Sequence, residues 1–209
     1  LIDIDYEILP AITDTMAALE ANSPLIHPEY DSNLAWMREV EAGSFDSALE
    51  EDGVVIVEKE IKFGRHTGVT LETRGTVCDY VEGAEELTMY YTGQAPHMLQ
   101  FILAKHMNML EENVRVIAHD VGGSFGIKVH TYGDEIATAI LAKLLKRPVK
   151  FTADRLESFT TDIHARDHIV NAKIGMRHDG SIVGLGFDDV TGIGPYSMYP
   201  RTSAIECNQ

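Results

Sequence analysis

Cysteine is scarce in this chain: among its 209 residues, only Cys78 and Cys207 carry a thiol. A small secreted domain held together by disulfides needs more cysteines than this, so the sequence excludes a disulfide framework. Two cysteines so far apart in the chain favour a reducing compartment instead. We therefore expect a cytoplasmic protein.

Positive charge is also scarce, since 17 lysines and arginines stand against 33 aspartates and glutamates, a net charge of −16. Such a chain repels the phosphates of nucleic acids and an anionic membrane surface. No apolar run approaches the length of a membrane span. The sequence therefore predicts neither a nucleic acid nor a membrane as partner, and the charge indicates an acidic exterior.

Metal-ligating patterns are absent as well. The chain has nine histidines. None has a second histidine at ligand spacing on a predicted helix, and His66 has no histidine, cysteine or carboxylate at a helical or knuckle spacing. We therefore expect no metal ion held by side chains of this chain.

Local patterns predict strands and helices along the whole chain. Alternating or β-branched segments predict strands over residues 1–9, 54–63, 76–80, 87–91, 114–117, 147–152, 169–176 and 182–190. Helical spacing predicts helices over residues 13–21, 44–49, 96–109 and 134–145. The Asp179-Gly180 pair predicts a hairpin turn between the last two strands. The predicted fold class is α+β, with mixed sheets and flanking helices.

The helix predicted over residues 134–145 has an apolar stripe, which indicates the face that packs on the core. The stripe consists of Ile136, Ala137, Ile140, Leu141, Leu144 and Leu145. Thr131 and Asp134 resemble a capping pair at its start. Pro148 ends it.

Three glycines, Gly122, Gly123 and Gly126, lie within five positions between a predicted strand and this helix. Such a cluster is kept where φ must be positive or where a ligand touches the main chain, and its N–H groups can hold an anion. It is not a nucleotide P-loop, because Val129 follows Lys128, and the dinucleotide spacing is absent. The alternative is that the glycines only form a tight connection and bind no ligand. The glycines alone do not distinguish these two roles.

The run from Asp120 to Lys128, Asp-Val-Gly-Gly-Ser-Phe-Gly-Ile-Lys, resembles the molybdenum-binding large subunit of the xanthine oxidase family. This family includes aldehyde oxidoreductases, carbon monoxide dehydrogenases and N-heterocycle hydroxylases. Its loop is usually Gly-Gly-Gly-Phe-Gly-x-Lys, and this chain has Ser124 at the third position. Val114-Arg-Val-Ile before the loop and Arg147-Pro-Val-Lys after it are similar to the family too.

Two further segments resemble the family. Leu71 to Gly75 is similar to its Pro-Met/Leu-Glu-Pro/Thr-Arg-Gly element, in which a structural network is the expected role of Glu72 and Arg74. The segment from Thr92 to His97 resembles Ser-Thr-Gln-x-Pro-His, which implies that the amide of Gln94 approaches an oxygen on molybdenum. The alternative for Gln94 is a helix-start residue that faces solvent.

The resemblance implies a set of site residues and cofactors. The cofactor-binding residues would be Gln94, Gly122, Gly123, Ser124, Phe125 and Gly126. Tyr196 and Tyr199 would line the substrate channel, unless they serve only in packing. The cofactor would be molybdopterin, in its cytosine dinucleotide form, with molybdenum. FAD and [2Fe-2S] clusters are expected on partner subunits or domains.

The resemblance also implies a division of the chain. Residues 1–21 would be the tail of a small α/β, hammerhead-like domain, residues 22–53 a linker, and residues 54–209 the N-terminal part of a molybdopterin-binding domain. The pattern begins within a strand and stops without a closing turn, so we expect a piece of a longer subunit in an oligomeric enzyme.

The function implied is that of a molybdenum hydroxylase, an oxidoreductase that oxidises an aldehyde, an N-heterocycle or a related small substrate with water as the oxygen source. Its general base, a glutamate in a Gly-x-Gly-Glu-type motif, does not occur here, so no catalytic residue is expected in this chain. Val129 argues against a purine substrate. The alternatives are a carbon monoxide dehydrogenase-like member, a non-catalytic scaffold or subunit-contact fragment, and an enzyme whose glycine loop binds the phosphate of another nucleotide.

Overall fold

The computed structural model describes residues 3–196. Their strands are β1 Val54–Phe63, β2 Gly75–Val81, β3 Glu86–Tyr91, β4 Val114–Ile117, β5 Val149–Thr152, β6 Asp167–Arg177 and β7 Ile182–Gly192. Their α-helices are α1 Thr15–Ala18, α2 Phe45–Leu49, α3 Pro96–Met107, α4 Gly133–Leu145 and α5 Arg155–Thr161. The predicted α+β class with mixed sheets and flanking helices is therefore confirmed.

The described residues form two compact units. One consists of residues 3–64 and 166–196, and the other of residues 65–165. The division predicted from sequence, into residues 1–21, 22–53 and 54–209, concerns domain families and stays a prediction.

The first unit contains a three-stranded antiparallel sheet in the order β1-β6-β7. The predicted Asp-Gly turn joins β6 to β7, and Gly180 has the left-handed φ of +88° that this turn requires. Helix α2 packs on the sheet where a side chain is missing: a Cβ at Gly175 would lie 2.3 Å from Leu49 Cδ2. A side chain at this position would therefore displace Leu49 of α2.

The predicted strand over residues 1–9 is wrong for the residues that the structure describes. Residues 3–9 form no strand and are exposed. Alternation produces a strand only where a neighbouring strand supplies hydrogen bonds, and no strand of residues 3–196 pairs with this segment. The helix that follows is also shorter than predicted, Thr15–Ala18, with Asp14 as its N-cap.

The second unit contains a four-stranded mixed sheet in the order β4-β3-β2-β5. Strands β2 and β3 form the predicted antiparallel hairpin, β5 pairs antiparallel with β2, and β4 pairs parallel with β3. One face of the sheet packs against α3 and α4. The buried residues of this core are Cys78, Leu87, Met89, Tyr91, Leu99, Leu103, Ala104, Met107, Val114, Ala139 and Ala142.

Helix α4 packs through a different face from the one predicted. Its buried residues are Glu135, Thr138, Ala139 and Ala142. Ile140, Leu141, Leu144 and Leu145 are exposed, Leu144 at 70%. Small side chains let the helix lie close to β2, and Ile136 is the member of the predicted stripe that packs, half-buried, against this core. The apolar residues cover more than one side of this helix, so periodicity alone could not tell which side meets the sheet.

The start of α4 also differs from the prediction. The N-cap is Tyr132 rather than Thr131, and the carboxylate of Glu135 accepts a hydrogen bond from the Tyr132 N–H at 3.1 Å. A glutamate three positions into the helix commonly satisfies the N-cap N–H in this way. Helix α3 ends at Met107, because Asn108 adopts a left-handed φ of +51°.

Candidate functional site

The predicted cofactor-binding residues all lie in the unit formed by residues 65–165. Gly122 to Gly126 belong to the loop between β4 and α4, and Gln94 lies between β3 and α3. A third segment, residues 70–74, precedes β2 and lies against the glycine loop: the Glu72 N–H donates to the Gly122 carbonyl at 3.1 Å. These three connections form the candidate site.

The glycine loop has an unusual main-chain path. Gly123 has a φ of +101° and Gly126 a φ of +86°, and between them Phe125 has a φ of +50°. Only glycine adopts the left-handed region at little cost, so the path explains two of the three glycines. The turn is closed by a hydrogen bond from the Ile127 N–H to the Ser124 carbonyl at 2.9 Å.

This path leaves a row of main-chain donors without protein acceptors. Within residues 3–196, the N–H groups of Gly123, Ser124, Phe125 and Gly126 donate no hydrogen bond. Successive free N–H groups in a turn bind anionic or strongly polarised oxygens. The loop can therefore hold an acceptor group of a ligand.

Gln94 lies next to this loop. Its N–H donates to the Lys128 carbonyl at 3.2 Å, and its side-chain oxygen accepts a hydrogen bond from the Ser124 hydroxyl. The two side chains are 30 positions apart in sequence. The structure thus brings together Gln94 and Ser124, and the Gln94 side chain is exposed.

An ion pair holds the two ends of the glycine loop. Glu72 Oε2 accepts from the Gly122 N–H at 2.8 Å and from Lys128 Nζ at 2.9 Å. Lys128 is buried, with 2% of its surface exposed. Burial alone would raise the pKa of Glu72, but hydrogen bonds from Lys128 and Gly122 outweigh it, and the pKa lies below its ordinary value. The carboxylate is therefore charged at neutral pH and fixes the loop.

Arg74 forms a second, buried network in the same unit. Its guanidinium donates to Asp162 at 2.6 Å and, with two nitrogens, to Asp134 at 2.6 and 2.7 Å. Burial alone would lower the pKa of Arg74, but the two carboxylates raise it above its ordinary value. The network joins the start of β2 to the N-terminus of α4 and the C-terminus of α5. The structural role predicted for Glu72 and Arg74 is confirmed.

Tyr132 connects this network to the glycine loop. The Arg74 guanidinium lies 3.7 Å from the centre of the Tyr132 ring. The Tyr132 hydroxyl donates to the Ile127 carbonyl at 2.8 Å and accepts from the Ile163 N–H at 3.2 Å. Burial raises the pKa of this hydroxyl, so it stays a donor at all ordinary pH values. Sequence analysis missed Tyr132 and Asp162, and no local pattern marks either of them.

Glu135, which lies near Arg74, makes the free energy of unfolding depend on pH. Burial raises its pKa from 4.5 to about 7, against the opposing hydrogen bond from Tyr132 and the charge of Arg74. The folded state therefore binds a proton more tightly than the unfolded state, and stability falls as pH rises from about 4.5 to about 7. We expect Glu135→Gln to remove this fall and to be more stable than the wild type at pH 8 by up to about 3 kcal/mol.

Urea denaturation at pH 5 and pH 8 measures this effect. The control is Glu112→Gln, because Glu112 is exposed, and it should follow the wild type at both pH values. Equal pH dependence in Glu135→Gln and the wild type would contradict the assignment.

The remaining predicted site residues are Phe125, Tyr196 and Tyr199. Phe125 is 75% exposed at the tip of the glycine loop. Tyr196 belongs to the other unit and is 71% exposed, with its ring centre 5.3 Å from that of His27. Tyr199 lies outside the described residues. Whether these tyrosines line a channel stays a prediction.

Residues 3–196 contain neither a metal-ligating cluster nor a membrane-spanning helix. No group of three or more histidine, cysteine, aspartate or glutamate side chains is arranged to hold a metal ion. No helix in this part of the chain is long and apolar enough to cross a membrane.

Comparison with known proteins identifies similar sequences and structures. Residues 26–207 match the family model described as "Molybdopterin cofactor-binding domain". The large subunit of nicotine 6-hydroxylase from Paenarthrobacter nicotinovorans is 28% identical over 99% of this chain and 25% of its own length. The carbon monoxide dehydrogenase large chain of Hydrogenophaga pseudoflava is 27% identical over 93% of this chain and 26% of its own.

A solved structure agrees with these sequence relatives. Quinoline 2-oxidoreductase from Pseudomonas putida 86 superposes with a TM-score of 0.78 at 28% identity, over 94% of this chain and 25% of its own. The chain thus spans about a quarter of the length of the relatives it matches.

Proposed function

The chain belongs to the molybdopterin cofactor-binding domain family, and from this premise we propose that Gln94 and residues 122–126 bind the molybdenum cofactor of a hydroxylase. The whole protein would be the molybdenum-binding subunit of an oxidoreductase, of which this chain is a part. Its substrate would be an aldehyde, an N-heterocycle or a related small molecule. The bound cofactor would supply the redox chemistry, taking two electrons from the substrate while water provides the oxygen.

One observation carries this proposal: four successive N–H groups that find no acceptor within residues 3–196 lie on the loop that the exposed Gln94 side chain contacts. These are neutral donors, so they stabilise an oxygen ligand or a pterin carbonyl at any pH. They are also fixed in advance, because the Glu72–Lys128 ion pair and the Tyr132 hydroxyl hold the loop ends. Donors that need no reorganisation on binding stabilise polar groups most effectively.

Glycine allows the close approach that this binding needs. A Cβ at Gly126 would meet no atom of the described chain within 4 Å, so its place is open to a ligand. The exposed Phe125 ring would form one wall of the cofactor site. The residues present therefore fit a flat, oxygen-bearing cofactor.

The proposal also covers the form of the cofactor, the partner subunits and the rest of the large subunit. The cofactor would be the cytosine dinucleotide form, and FAD and [2Fe-2S] clusters would lie on partner subunits or domains in the cytoplasm. The general base would come from another part of the subunit. The exposed apolar residues of α4, among them Leu144 and Leu145, would be covered by that remaining part, since large exposed apolar patches mark interaction surfaces.

Gln94→Ala tests the proposal. We expect turnover by the complete enzyme to fall about 10- to 100-fold, the loss of one hydrogen bond to a charged acceptor. Molybdenum content should change little, because the main-chain donors of the loop remain. Turnover and molybdenum per protein are measured on the same preparation.

The control is Lys105→Gln, a change of an exposed residue on α3, which should leave both quantities unchanged. Unchanged turnover in Gln94→Ala would remove Gln94 from the site. A complete wild-type subunit without molybdenum or pterin would instead favour the scaffold or the nucleotide-phosphate alternative.

A further inference from the structure

We propose that Ser124 is a positioning residue that orients the side-chain amide of Gln94, so that its NH2 group points away from the loop serine and toward the cofactor. This inference rests on the proposed function. It assigns to Ser124 a role that acts through Gln94 rather than by direct contact with the reacting atoms.

The amide of glutamine has two different ends. Its oxygen only accepts hydrogen bonds and its nitrogen only donates them, and a half-turn about the last torsion exchanges the two. Only the nitrogen end can donate to an oxygen of the cofactor. An amide turned the wrong way would place two oxygens against each other.

In the structure, the Ser124 hydroxyl meets the oxygen end of the amide. It donates to Gln94 Oε1, so Oε1 is the end held at the loop. Within residues 3–196, Gln94 Nε2 has no hydrogen-bond acceptor. The end that can donate to a ligand is therefore the end left free.

Both partners are fixed at their main chains. The Ser124 carbonyl accepts from the Ile127 N–H at 2.9 Å, and the Gln94 N–H donates to the Lys128 carbonyl at 3.2 Å. Ile127 and Lys128 are buried, with 3% and 2% of their surfaces exposed. The serine and the glutamine are thus attached to the same buried turn, which keeps the hydroxyl within reach of the amide.

The test uses the complete enzyme with four variants: Ser124→Ala, Ser124→Thr, Gln94→Ala and the double variant Ser124→Ala/Gln94→Ala. We expect Ser124→Ala to lower kcat about fivefold, the effect of losing one net hydrogen bond of about 1 kcal/mol. KM and molybdenum content should stay unchanged. Ser124→Thr retains the hydroxyl and should restore kcat to within about twofold of the wild type.

The double variant separates orientation from general loop damage. If Ser124 acts only through Gln94, then Ser124→Ala should add no further loss in the Gln94→Ala background. A merely structural serine would lower kcat by the same factor in both backgrounds. A second readout is the Mo(V) electron paramagnetic resonance signal, whose g values should shift in Ser124→Ala in the same direction as in Gln94→Ala.

The four variants distinguish a failure of the role of Ser124 from a failure of the role of Gln94. Additive losses, or a threonine variant as impaired as the alanine variant, would overturn the role of Ser124. Normal kcat and an unshifted signal in Ser124→Ala, with a clear loss in Gln94→Ala, would overturn this inference and leave the proposed function intact. A Gln94→Ala enzyme that is unaffected would contradict the proposed role of Gln94 itself.

Discussion

Replacing Gly123 by valine is expected to give a folded protein that binds little molybdenum and has no measurable turnover. Gly123 has a φ of +101°, which costs a β-branched residue about 1–3 kcal/mol or forces the loop into another path. A Cβ there would also lie 3.2 Å from Phe125 Cε2 and 3.6 Å from Thr70 Cβ. Either response moves the free N–H groups of residues 123–126 away from the cofactor.

The fold should survive this change, because the core does not depend on the loop. Ala139 and Ala142 of α4 are completely buried against the sheet. The measurements are the melting temperature and the molybdenum per folded protein, made on one preparation of the complete subunit. A loop with no ligand predicts a different result: whether or not the strain lowers the melting temperature, the metal content of the folded fraction stays normal.

Gly133→Ala is the matched control. Gly133 is the first residue of α4, its φ is not positive, and a Cβ there would meet nothing within 4 Å. Alanine is the better helix former by up to about 1 kcal/mol, so this variant should be as stable as the wild type or more so. Its metal content and turnover should be normal. A metal-replete and active Gly123→Val enzyme would refute the assignment of the loop.

Replacing Arg74 by methionine is expected to lower the free energy of unfolding by about 3–5 kcal/mol. Methionine keeps most of the volume but leaves Asp162, whose side chain is 3% exposed, and Asp134 without their charged partner. It also removes the stacking on Tyr132. Asp162 would keep the hydrogen bond from the Ser158 hydroxyl, but this bond does not replace the lost hydration of a buried carboxylate.

Arg177→Met provides the comparison. Arg177 pairs with Glu51, and both side chains are 47% exposed, so water screens the pair. We expect a loss below about 1 kcal/mol. Urea denaturation of both variants measures the difference, with the slope m as a check on two-state unfolding. Equal losses would show that burial adds nothing to the Arg74 network.

The sequence by itself determined the local elements of this protein. The Asp179-Gly180 turn, the β2–β3 hairpin and the strand–glycine loop–helix segment at 114–145 all follow from spacing and turn chemistry, and all are present. The resemblance carried by the loop and by Leu71 to Gly75 led to the family that the comparisons show. These features are readable because each depends on residues a few positions apart.

Tertiary structure decided the rest. Helix α4 packs through its alanine side and not through its leucine stripe, and residues 3–9 have no strand partner among the described residues. Arg74 pairs with carboxylates 60 and 88 positions away. Ser124 donates a hydrogen bond to Gln94. A periodic pattern indicates that a helix face is apolar, but it does not indicate which surface covers that face. A charged residue in the sequence likewise does not indicate which residue pairs with it. The buried face and the ion-pair partners are determined by packing between distant segments, because burial and pairing energies depend on which residues lie opposite in space.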